Sequence, residues 1–176
     1  KRALEFSKDD YREIDRYCKE VKIPWFASCW DEQSVDFIAQ FDVPCFKIAS
    51  CSLTDDNLVR YTRKPGKPIV LSTGMSTLEQ IDHAVESLGR RDLILLHACS
   101  TYPAYYEELN LKGIHTLRTR YGVPVGYSGH ETGLPSSVAA AVMGACMVER
   151  HVTLDRSMWG SDQAASLEPN GILRLV

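Results

Sequence analysis

Residues 93–103 read LILLHACSTYP, an unbroken apolar run that leads directly into a polar turn. Apolar runs without polar alternation are typical of parallel strands that are buried on both faces of a sheet. The segment Val123–Tyr127 repeats this arrangement, because Ser128, Gly129 and His130 follow it. Both segments therefore predict buried parallel strands that are followed by polar side chains able to bind a ligand or take part in catalysis.

Apolar runs alternate along the chain with amphipathic segments that carry helix signals. Ser7 precedes an acidic first turn, Ser76 and Glu79 predict a capping box, and Pro135 opens an Ala-rich helix. Strict alternation predicts an α/β fold with a parallel sheet, either doubly wound or closed as a barrel. The six predicted strands are Trp25–Cys29, Cys45–Ser50, Ile69–Thr73, Leu93–Cys99, Val123–Tyr127 and Met147–Leu154.

Composition excludes several classes of protein. With 176 residues, 44% apolar and 24% charged, the chain has the size and composition of about one ordinary globular domain. A formal net charge of −3 gives no basic field for nucleic acid or for an anionic membrane. The apolar runs are far shorter than the roughly 20 residues of a membrane span, and the first residues do not resemble a signal peptide. We therefore expect a cytoplasmic protein that binds neither nucleic acid nor membrane.

The six cysteines show neither a Cys-x-x-Cys pair nor the clustering of a zinc site. Most of them lie in apolar segments, and free cysteine behaves as a small buried hydrophobe. We expect most of them to be reduced core residues.

The ends of the predicted strands favour a barrel. Chemistry gathered at the carboxyl ends of many strands is the signature of a (β/α)8 enzyme, and neither a P-loop nor a Gly-x-Gly-x-x-Gly motif supports a nucleotide fold. Six strands are predicted instead of eight, and the chain opens on a helix, so we expect the first two βα units to be absent. An open sheet of this kind should self-associate through its edges and should not be a competent enzyme alone. The polar strand ends are Lys47 with Ser50, Ser72 to Gly74, Ser100 to Pro103, and Ser128 to His130.

Three residues suggest specific chemistry. His130 and His151 follow or lie in neighbouring strands about 4.8 Å apart, so they could share a metal ion, or they could be hydrogen-bonded rim residues. Lys47 lies inside an apolar run, where it could form a structural ion pair, bind an anion or act as a Schiff-base nucleophile. The serine- and glycine-rich turns offer hydroxyl and N–H donors for a phosphate.

The motifs taken together are more specific than their parts. Their order along the whole chain resembles that of the sialic acid synthase family, and GYSGHETG resembles the animal-type enzymes in particular. The motifs are FKIAS (46–50), LSTGM (71–75), HACSTYP (97–103), NLKGI (110–114), PVGYSGHETG (124–133), ERHVTLD (149–155) and GSDQAASLEP (160–169).

The resemblance implies a TIM barrel that lacks its first two strands here, together with the small antifreeze-like domain that normally follows it. Residues 1–176 would then be a partial synthase domain. Family members condense phosphoenolpyruvate with N-acetylmannosamine or its 6-phosphate to form a nine-carbon sugar acid, and they form homodimers.

The family's site residues carry over onto matching positions of this chain. The resemblance implies that His130 and His151 are ligands of a divalent metal, most commonly manganese, and that His130, His151 and Lys47 are catalytic. It implies that the phosphoenolpyruvate and sugar site is lined by Ser28, Lys47, Ser50, Ser72, Ser100, Tyr102 and Ser128.

Two positions depart from the family pattern. Ser52 stands where members commonly have an acidic residue that has been proposed to handle protons, and Gln163 replaces a histidine. Both departures point to a subgroup with another sugar substrate.

In the implied reaction, the enol carbon of phosphoenolpyruvate attacks the sugar aldehyde, which the metal polarises. Lys47 would then be a charged anchor for the phosphate and carboxylate groups. Two alternatives stay open. One is a class I aldolase that uses Lys47 as a Schiff base, and the other is an inactive barrel that acts only as a packing or regulatory partner.

Overall fold

Parallel strands alternate with helices in the computed structural model, which describes residues 5–176. The strands are β1 (Phe46–Ile48), β2 (Ile69–Ser72), β3 (Leu93–Ala98), β4 (Val125–Gly129) and β5 (Val148–Arg150). The helices are α1 (Lys8–Val21), α2 (Glu32–Ile38), α3 (Asp56–Tyr61), α4 (Leu78–Leu88), α5 (Gly113–Tyr121), α6 (Pro135–Val142) and α7 (Pro169–Leu175). Three short 3-10 turns lie in the connections: Ser50–Ser52, Tyr106–Glu108 and Gln163–Ala165.

The sheet follows the order of the chain, β1-β2-β3-β4-β5, and each neighbouring pair is parallel. A doubly wound sheet reverses its strand order at a switch point, whereas the strands of a barrel follow one another in sequence. The observed order therefore selects the barrel over the doubly wound alternative for the part of the chain that the structure describes.

The prediction of a strand at Trp25–Cys29 is wrong. Among residues 5–176 the sheet has five strands and not six. The segment at 25–29 makes only an isolated bridge between Ser28 and Lys47, with two hydrogen bonds of 3.3 Å. Its start is held elsewhere: the Trp25 indole packs on Tyr11 and donates to Asp15 at 3.1 Å. Packing of the tryptophan against α1 thus leaves too few residues alongside β1 to form a strand.

The bounds of the other five predicted strands also differ from those of the observed strands, most of all in the last two. The fourth strand of the sheet begins at Val125 rather than Val123, since the intervening Pro124 has no N–H to donate. The last strand ends at Arg150 rather than Leu154, because the next residues pair with Leu167 instead. The carbonyl of His151 accepts from the Leu167 N–H at 2.8 Å.

Within residues 5–176 the core consists of two apolar clusters. The larger one lies between the outer face of the sheet and the helices α4 to α6, and Leu71, Leu95 and Ile114 are fully buried in it. The smaller one joins α2 and α3 to β1 around Phe46, and it borders a group of aromatic rings on α1 and α2. Helices therefore cover one face of the sheet, and the opposite face is left for the polar residues at its carboxyl edge.

Two of the predicted helix starts agree with the structure. Ser7 forms a capping box with Asp10, and Pro135 opens α6. The second predicted box is displaced by one residue, since α4 is capped by Thr77 with Gln80. Ser76 donates instead to the carbonyl of Gly74, at 3.2 Å. No helix within residues 5–176 combines the length and apolar character needed to cross a bilayer.

The cysteines are free thiols, but the expectation that most of them lie in the core is wrong. Only Cys29 is buried, and burial raises its pKa to about 11. Cys51 and Cys146 are exposed, because they lie in turns next to strands and not inside them.

Candidate active site

A pocket of about 480 Å³ lies at the carboxyl edge of the sheet, where all five strands end. Parallel strands bring their carboxyl ends to one edge, so residues that are far apart in sequence meet there. The structure places every site residue predicted from the sequence in the wall of this pocket. These residues are Ser28, Lys47, Ser50, Ser72, Ser100, Tyr102, Ser128, His130 and His151.

Two histidines form one side of the pocket. His130 follows β4 and His151 follows β5, and their ring centroids are 5.3 Å apart. The Nδ1 atom of His130 lies 2.6 Å from the carbonyl oxygen of Cys99. Because a carbonyl only accepts, Nδ1 carries the proton and Nε2 keeps its lone pair. The hydroxyl of Tyr102 donates to that Nε2 at 2.9 Å.

The surroundings of the two histidines differ. Burial is the main cause that lowers the pKa of His130 below its usual value, and the hydrogen bond to the Cys99 carbonyl opposes this effect. His130 is therefore held as a neutral imidazole. His151 is partly exposed, with Nδ1 3.6 Å from an Asp162 oxygen. Tyr102 packs against both rings, and burial followed by the charge of Asp162 raises its pKa.

The two imidazoles are a donor set that fits a divalent transition metal. Metal-bound histidines commonly donate their second ring N–H to a carbonyl, as His130 does to Cys99. No cluster of three or more histidine, cysteine or acidic residues suited to a metal occurs within residues 5–176. Any ion held here by His130 and His151 would keep open positions for substrate and water.

Lys47 and Glu149 form an ion pair inside the pocket. The Lys47 side chain is only 7% exposed, and its Nζ lies 3.3 Å from Glu149 Oε1. Ser128 Oγ donates to the same carboxylate oxygen at 2.9 Å. The structural ion pair considered for Lys47 is therefore present, and it places the ammonium group at the pocket wall.

The contact between Lys47 and Glu149 also shows that the sheet is curved. Lys47 is on β1 and Glu149 is on β5, so three strands lie between them. A flat sheet would separate these strands by about 19 Å at about 4.8 Å per neighbour. Two side chains can approach to 3.3 Å only if the sheet is strongly curved. The five strands therefore form a half-barrel, and the pocket lies in its concave side.

Three serines near the ends of β1, β2 and β3 line the pocket, and we call Ser50, Ser72 and Ser100, together with Gly74, the serine cradle. The Gly74 N–H donates to Ser50 Oγ at 3.0 Å. A Cβ atom at Gly74 would lie 2.2 Å from Ser100 Oγ, so only glycine leaves this space open. Ser72 Oγ is buried without a hydrogen-bond partner among the described residues. An unpaired buried hydroxyl is costly, and it points to a ligand that would satisfy it.

Sequence reasoning missed several residues of the pocket wall. The carboxylates of Glu149 and Asp162 line it, together with Trp30, Cys51 and Met75. The signal for Glu149 was a charged residue inside a predicted strand, but its partner Lys47 lies about a hundred residues away in sequence. Trp30 follows a strand-like segment without any motif that marks it, and Met75 ends the LSTGM motif, in which only Ser72 was predicted to line the site.

Ser52, the first of the two departures from the family pattern, lies away from the pocket, and so does the nearest acidic residue that could replace its missing carboxylate. Ser52 is buried beneath the turn at 50–52, outside the pocket wall. Asp55 is nearby in sequence but caps α3, where its carboxylate accepts from two backbone N–H groups. It supplies no carboxylate to the pocket.

Comparison with known proteins gives consistent matches over the whole chain. The model of the NeuB family matches residues 1–176. The N-acetylneuraminate-9-phosphate synthase of Homo sapiens is 43% identical over 180 residues, which cover 100% of this chain and 50% of that protein. The N,N'-diacetyllegionaminic acid synthase of Legionella pneumophila is 35% identical, over 99% of this chain and 51% of that protein.

A solved structure agrees with these matches. The N-acetylneuraminic acid synthetase from Leptospira borgpetersenii, in complex with citrate, superposes with a TM-score of 0.92 at 31% identity. The superposition covers 97% of this chain and 61% of that one. The chain spans about half the length of the curated relatives that it matches.

Proposed function

The chain belongs to the NeuB family, and from that premise we propose that its pocket condenses phosphoenolpyruvate with an N-acylated hexosamine to form a sialic-acid-type sugar acid. N-acetylmannosamine and its 6-phosphate are the substrates that the family resemblance implies. The relatives include synthases of N-acetylneuraminate 9-phosphate and of diacetyllegionaminic acid. The homodimer and the cytoplasmic location that we expect are part of this proposal, and the extent of the domain at residues 1–176 stays a prediction.

The serine cradle is the observation that carries the proposal. Its buried Ser72 hydroxyl has no partner within the described residues, and Gly74, which has no side chain, leaves space beside Ser50 and Ser100. Lys47 lines the same pocket with its ammonium group. Hydroxyl donors around one cation suit a small dianion such as the phosphate or carboxylate of phosphoenolpyruvate.

The reaction needs little covalent chemistry from the protein. The C3 methylene carbon of phosphoenolpyruvate forms a bond to the aldehyde carbon of the open-chain sugar, whose oxygen takes up a proton, and positive charge develops at C2, the carbon that carries the phosphate. Water adds at C2 and gives up its protons, the bond from C2 to the phosphate oxygen breaks, and inorganic phosphate leaves C2 as a keto carbon. Lys47 and the serine cradle hold the anionic groups in place, while Glu149 and Ser128 hold Lys47.

We further propose that His130 and His151 hold a divalent metal, with manganese the first choice among several first-row ions. When bound, such an ion supplies Lewis-acid polarisation of the sugar carbonyl. The carbonyl of Cys99 keeps His130 in the tautomer that presents Nε2, and Tyr102 packs against both rings.

The Lys47–Glu149 pair argues against the aldolase alternative. A Schiff-base lysine must be free to attack a carbonyl carbon, whereas Lys47 Nζ is engaged in an ion pair 3.3 Å from Glu149 Oε1. The two reactions differ in an experiment with the full gene product. Borohydride should trap no pyruvyl adduct on Lys47, and turnover should require phosphoenolpyruvate and release inorganic phosphate.

The proposal is tested by supplying phosphoenolpyruvate, Mn²⁺ and a panel of N-acylated hexosamines to the full gene product. Phosphate release and a sugar acid detected by mass spectrometry are the expected results. A chelator should abolish turnover, and added Mn²⁺ should restore it. A His130→Ala, His151→Ala double variant that keeps full activity without metal would disprove the metal site. Absence of any sugar acid with the whole panel would overturn the proposed reaction.

A further inference from the structure

Two buried side chains of opposite charge stand directly beside the two histidines in sequence. Glu131 follows His130, and Arg150 precedes His151. The Arg150 Nη1 atom lies 3.1 Å from Glu131 Oε1, and the side chains are 3% and 0% exposed. Buried ion pairs contribute little net stability compared with apolar residues of similar size. Their presence between β4 and β5 therefore suggests a role in fixing geometry.

The guanidinium group of Arg150 connects several segments at once. Its Nη1 donates to the carbonyl of Gly133 at 2.7 Å and to Ser137 Oγ at 2.9 Å, at the start of α6. Its Nη2 donates to the backbone carbonyls of Glu131 and Ala165. The end of β5 is thereby tied to the residue after His130 and to the turn that follows Asp162.

The carboxylate of Glu131 is itself held from a second side. The Tyr127 hydroxyl, from β4, donates to Glu131 Oε2 at 2.7 Å, and the other carboxylate oxygen accepts from Arg150. A Cβ atom at Gly129 would lie 2.7 Å from Glu131 Oε2 and 3.0 Å from Arg150 Cδ. The absence of a side chain at Gly129 therefore leaves room for the Glu131–Arg150 ion pair next to its backbone.

We propose that Glu131 and Arg150 form a positioning clamp that sets the separation and orientation of His130 and His151. The inference deepens the proposed function, since it rests on these two histidines acting as a pair. Neither clamp residue needs to touch substrate, because each acts through the backbone of the histidine next to it. The clamp joins the ends of β4 and β5, so that the 5.3 Å separation of the ring centroids is built in before any ligand arrives.

The test uses the full gene product in three forms: wild type, Glu131→Gln and Arg150→Lys. Glu131→Gln removes one charge and keeps nearly the same side-chain shape. Arg150→Lys keeps the charge but replaces the planar guanidinium group, with its several N–H donors, by an ammonium group. Asp82→Asn is the matched control, because it breaks the Asp82–Arg120 ion pair, which lies on α4 and α5 away from the pocket.

The first readout is the NMR spectrum of the imidazole nitrogens in metal-free protein. Wild-type His130 should show a single Nδ1–H tautomer. Both clamp variants should shift the His130 and His151 signals and mix the tautomers. His115 is an internal reference, because it lies on α5 outside the pocket wall, with its Nε2 3.5 Å from the Thr119 hydroxyl. Its signals should stay unchanged in both clamp variants.

The second readout separates positioning from general destabilisation. Mn²⁺ affinity, measured from the EPR signal of the free ion, should fall roughly tenfold or more in Glu131→Gln, as for other residues that support metal ligands. Phosphoenolpyruvate binding without metal, which depends on Lys47 and the serine cradle, should change less than twofold. Loss of both affinities together would mean that the pair only supports the fold, and would overturn the clamp.

Two further outcomes are decisive. If Glu131→Gln fails to fold, Tyr127→Phe removes a single hydrogen bond from Glu131 with both charges kept, and it should shift the same ring signals by a smaller amount. Folded variants with wild-type His130 and His151 signals would overturn the clamp, whatever the activity. A wild type with ordered rings but no Mn²⁺ binding and no turnover would instead overturn the proposed function and leave the clamp supported.

Discussion

Replacing Gly74 with alanine should close the serine cradle and leave the half-barrel folded. The added methyl group would lie 2.2 Å from Ser100 Oγ, 3.0 Å from Ser50 Oγ and 3.4 Å from Ala98 Cβ. The first two atoms are the ends of side chains that can rotate away. Crowding of this kind typically costs about 1–3 kcal/mol of stability, and the lower end applies where the neighbours can move.

The effect on ligand binding should be larger than the effect on folding. Rotation of Ser100 away from the methyl group removes a hydroxyl from the cradle, and the methyl group itself fills part of the ligand's space. A hydrogen bond to a charged group contributes about 1.5–3 kcal/mol. At about 1.4 kcal/mol per factor of ten, phosphoenolpyruvate affinity should fall roughly 10- to 100-fold.

Isothermal titration calorimetry with phosphoenolpyruvate, together with the KM for the same substrate, measures this loss. Gly171→Ala is the matched control, because its new Cβ would meet only Leu167 atoms at 3.4 Å or more, on α7. The control should bind phosphoenolpyruvate as the wild type does. A folded Gly74→Ala variant whose affinity lies within twofold of wild type would refute the assignment of the cradle as the anion site.

Three other predictions concern charge and reactivity. Lys47→Arg should weaken phosphoenolpyruvate binding roughly tenfold, which corresponds to the loss of about one charge-assisted hydrogen bond, and measurable turnover should remain. An unchanged KM for phosphoenolpyruvate would contradict an anchoring role for Lys47. Cys51, exposed in the pocket wall, should react with iodoacetamide, and phosphoenolpyruvate should slow this reaction but not that of Cys146, which is exposed outside the pocket wall, as measured by peptide mapping. Arg120 holds the pKa of Asp82 at about 2, so this carboxylate stabilises the fold above its unfolded pKa of 3.8 and loses that contribution as the pH falls toward 2. In urea unfolding, Asp82→Asn should flatten that part of the pH profile, and an unaltered profile would exclude the pair as its cause.

The parallel fold followed from the sequence because buried strands need apolar side chains on both faces. Leu93–Ala98 shows this directly, since its whole run is apolar up to His97. Boundaries were harder to predict, because they depend on competing partners. Trp25 is drawn toward α1, and Leu167 takes the backbone of His151 out of β5. Neither partner is visible in the local pattern.

The sequence predicted those residues of the candidate site that lie at the carboxyl ends of strands. Parallel topology brings Ser72 and Ser128 to one edge whatever their distance in sequence, so motifs at strand ends located the pocket. Glu149 and the clamp residues escaped notice for a physical reason. A charged residue within a strand is acceptable only if a partner from another element meets it, and the sequence does not display that partner.

The contact between Lys47 and Glu149 has a consequence for the order of folding. Neighbouring strands are also neighbours along the chain, so each can dock soon after the one before it, whereas this ion pair must bridge about a hundred residues. Until β5 arrives, Lys47 has no counter-ion and the polar pocket has no far wall. We expect pulse-labelling hydrogen exchange to show protection of β2 and β3 before β5. The pocket would then be the last part of the half-barrel to form, and early protection of β5 would contradict this order.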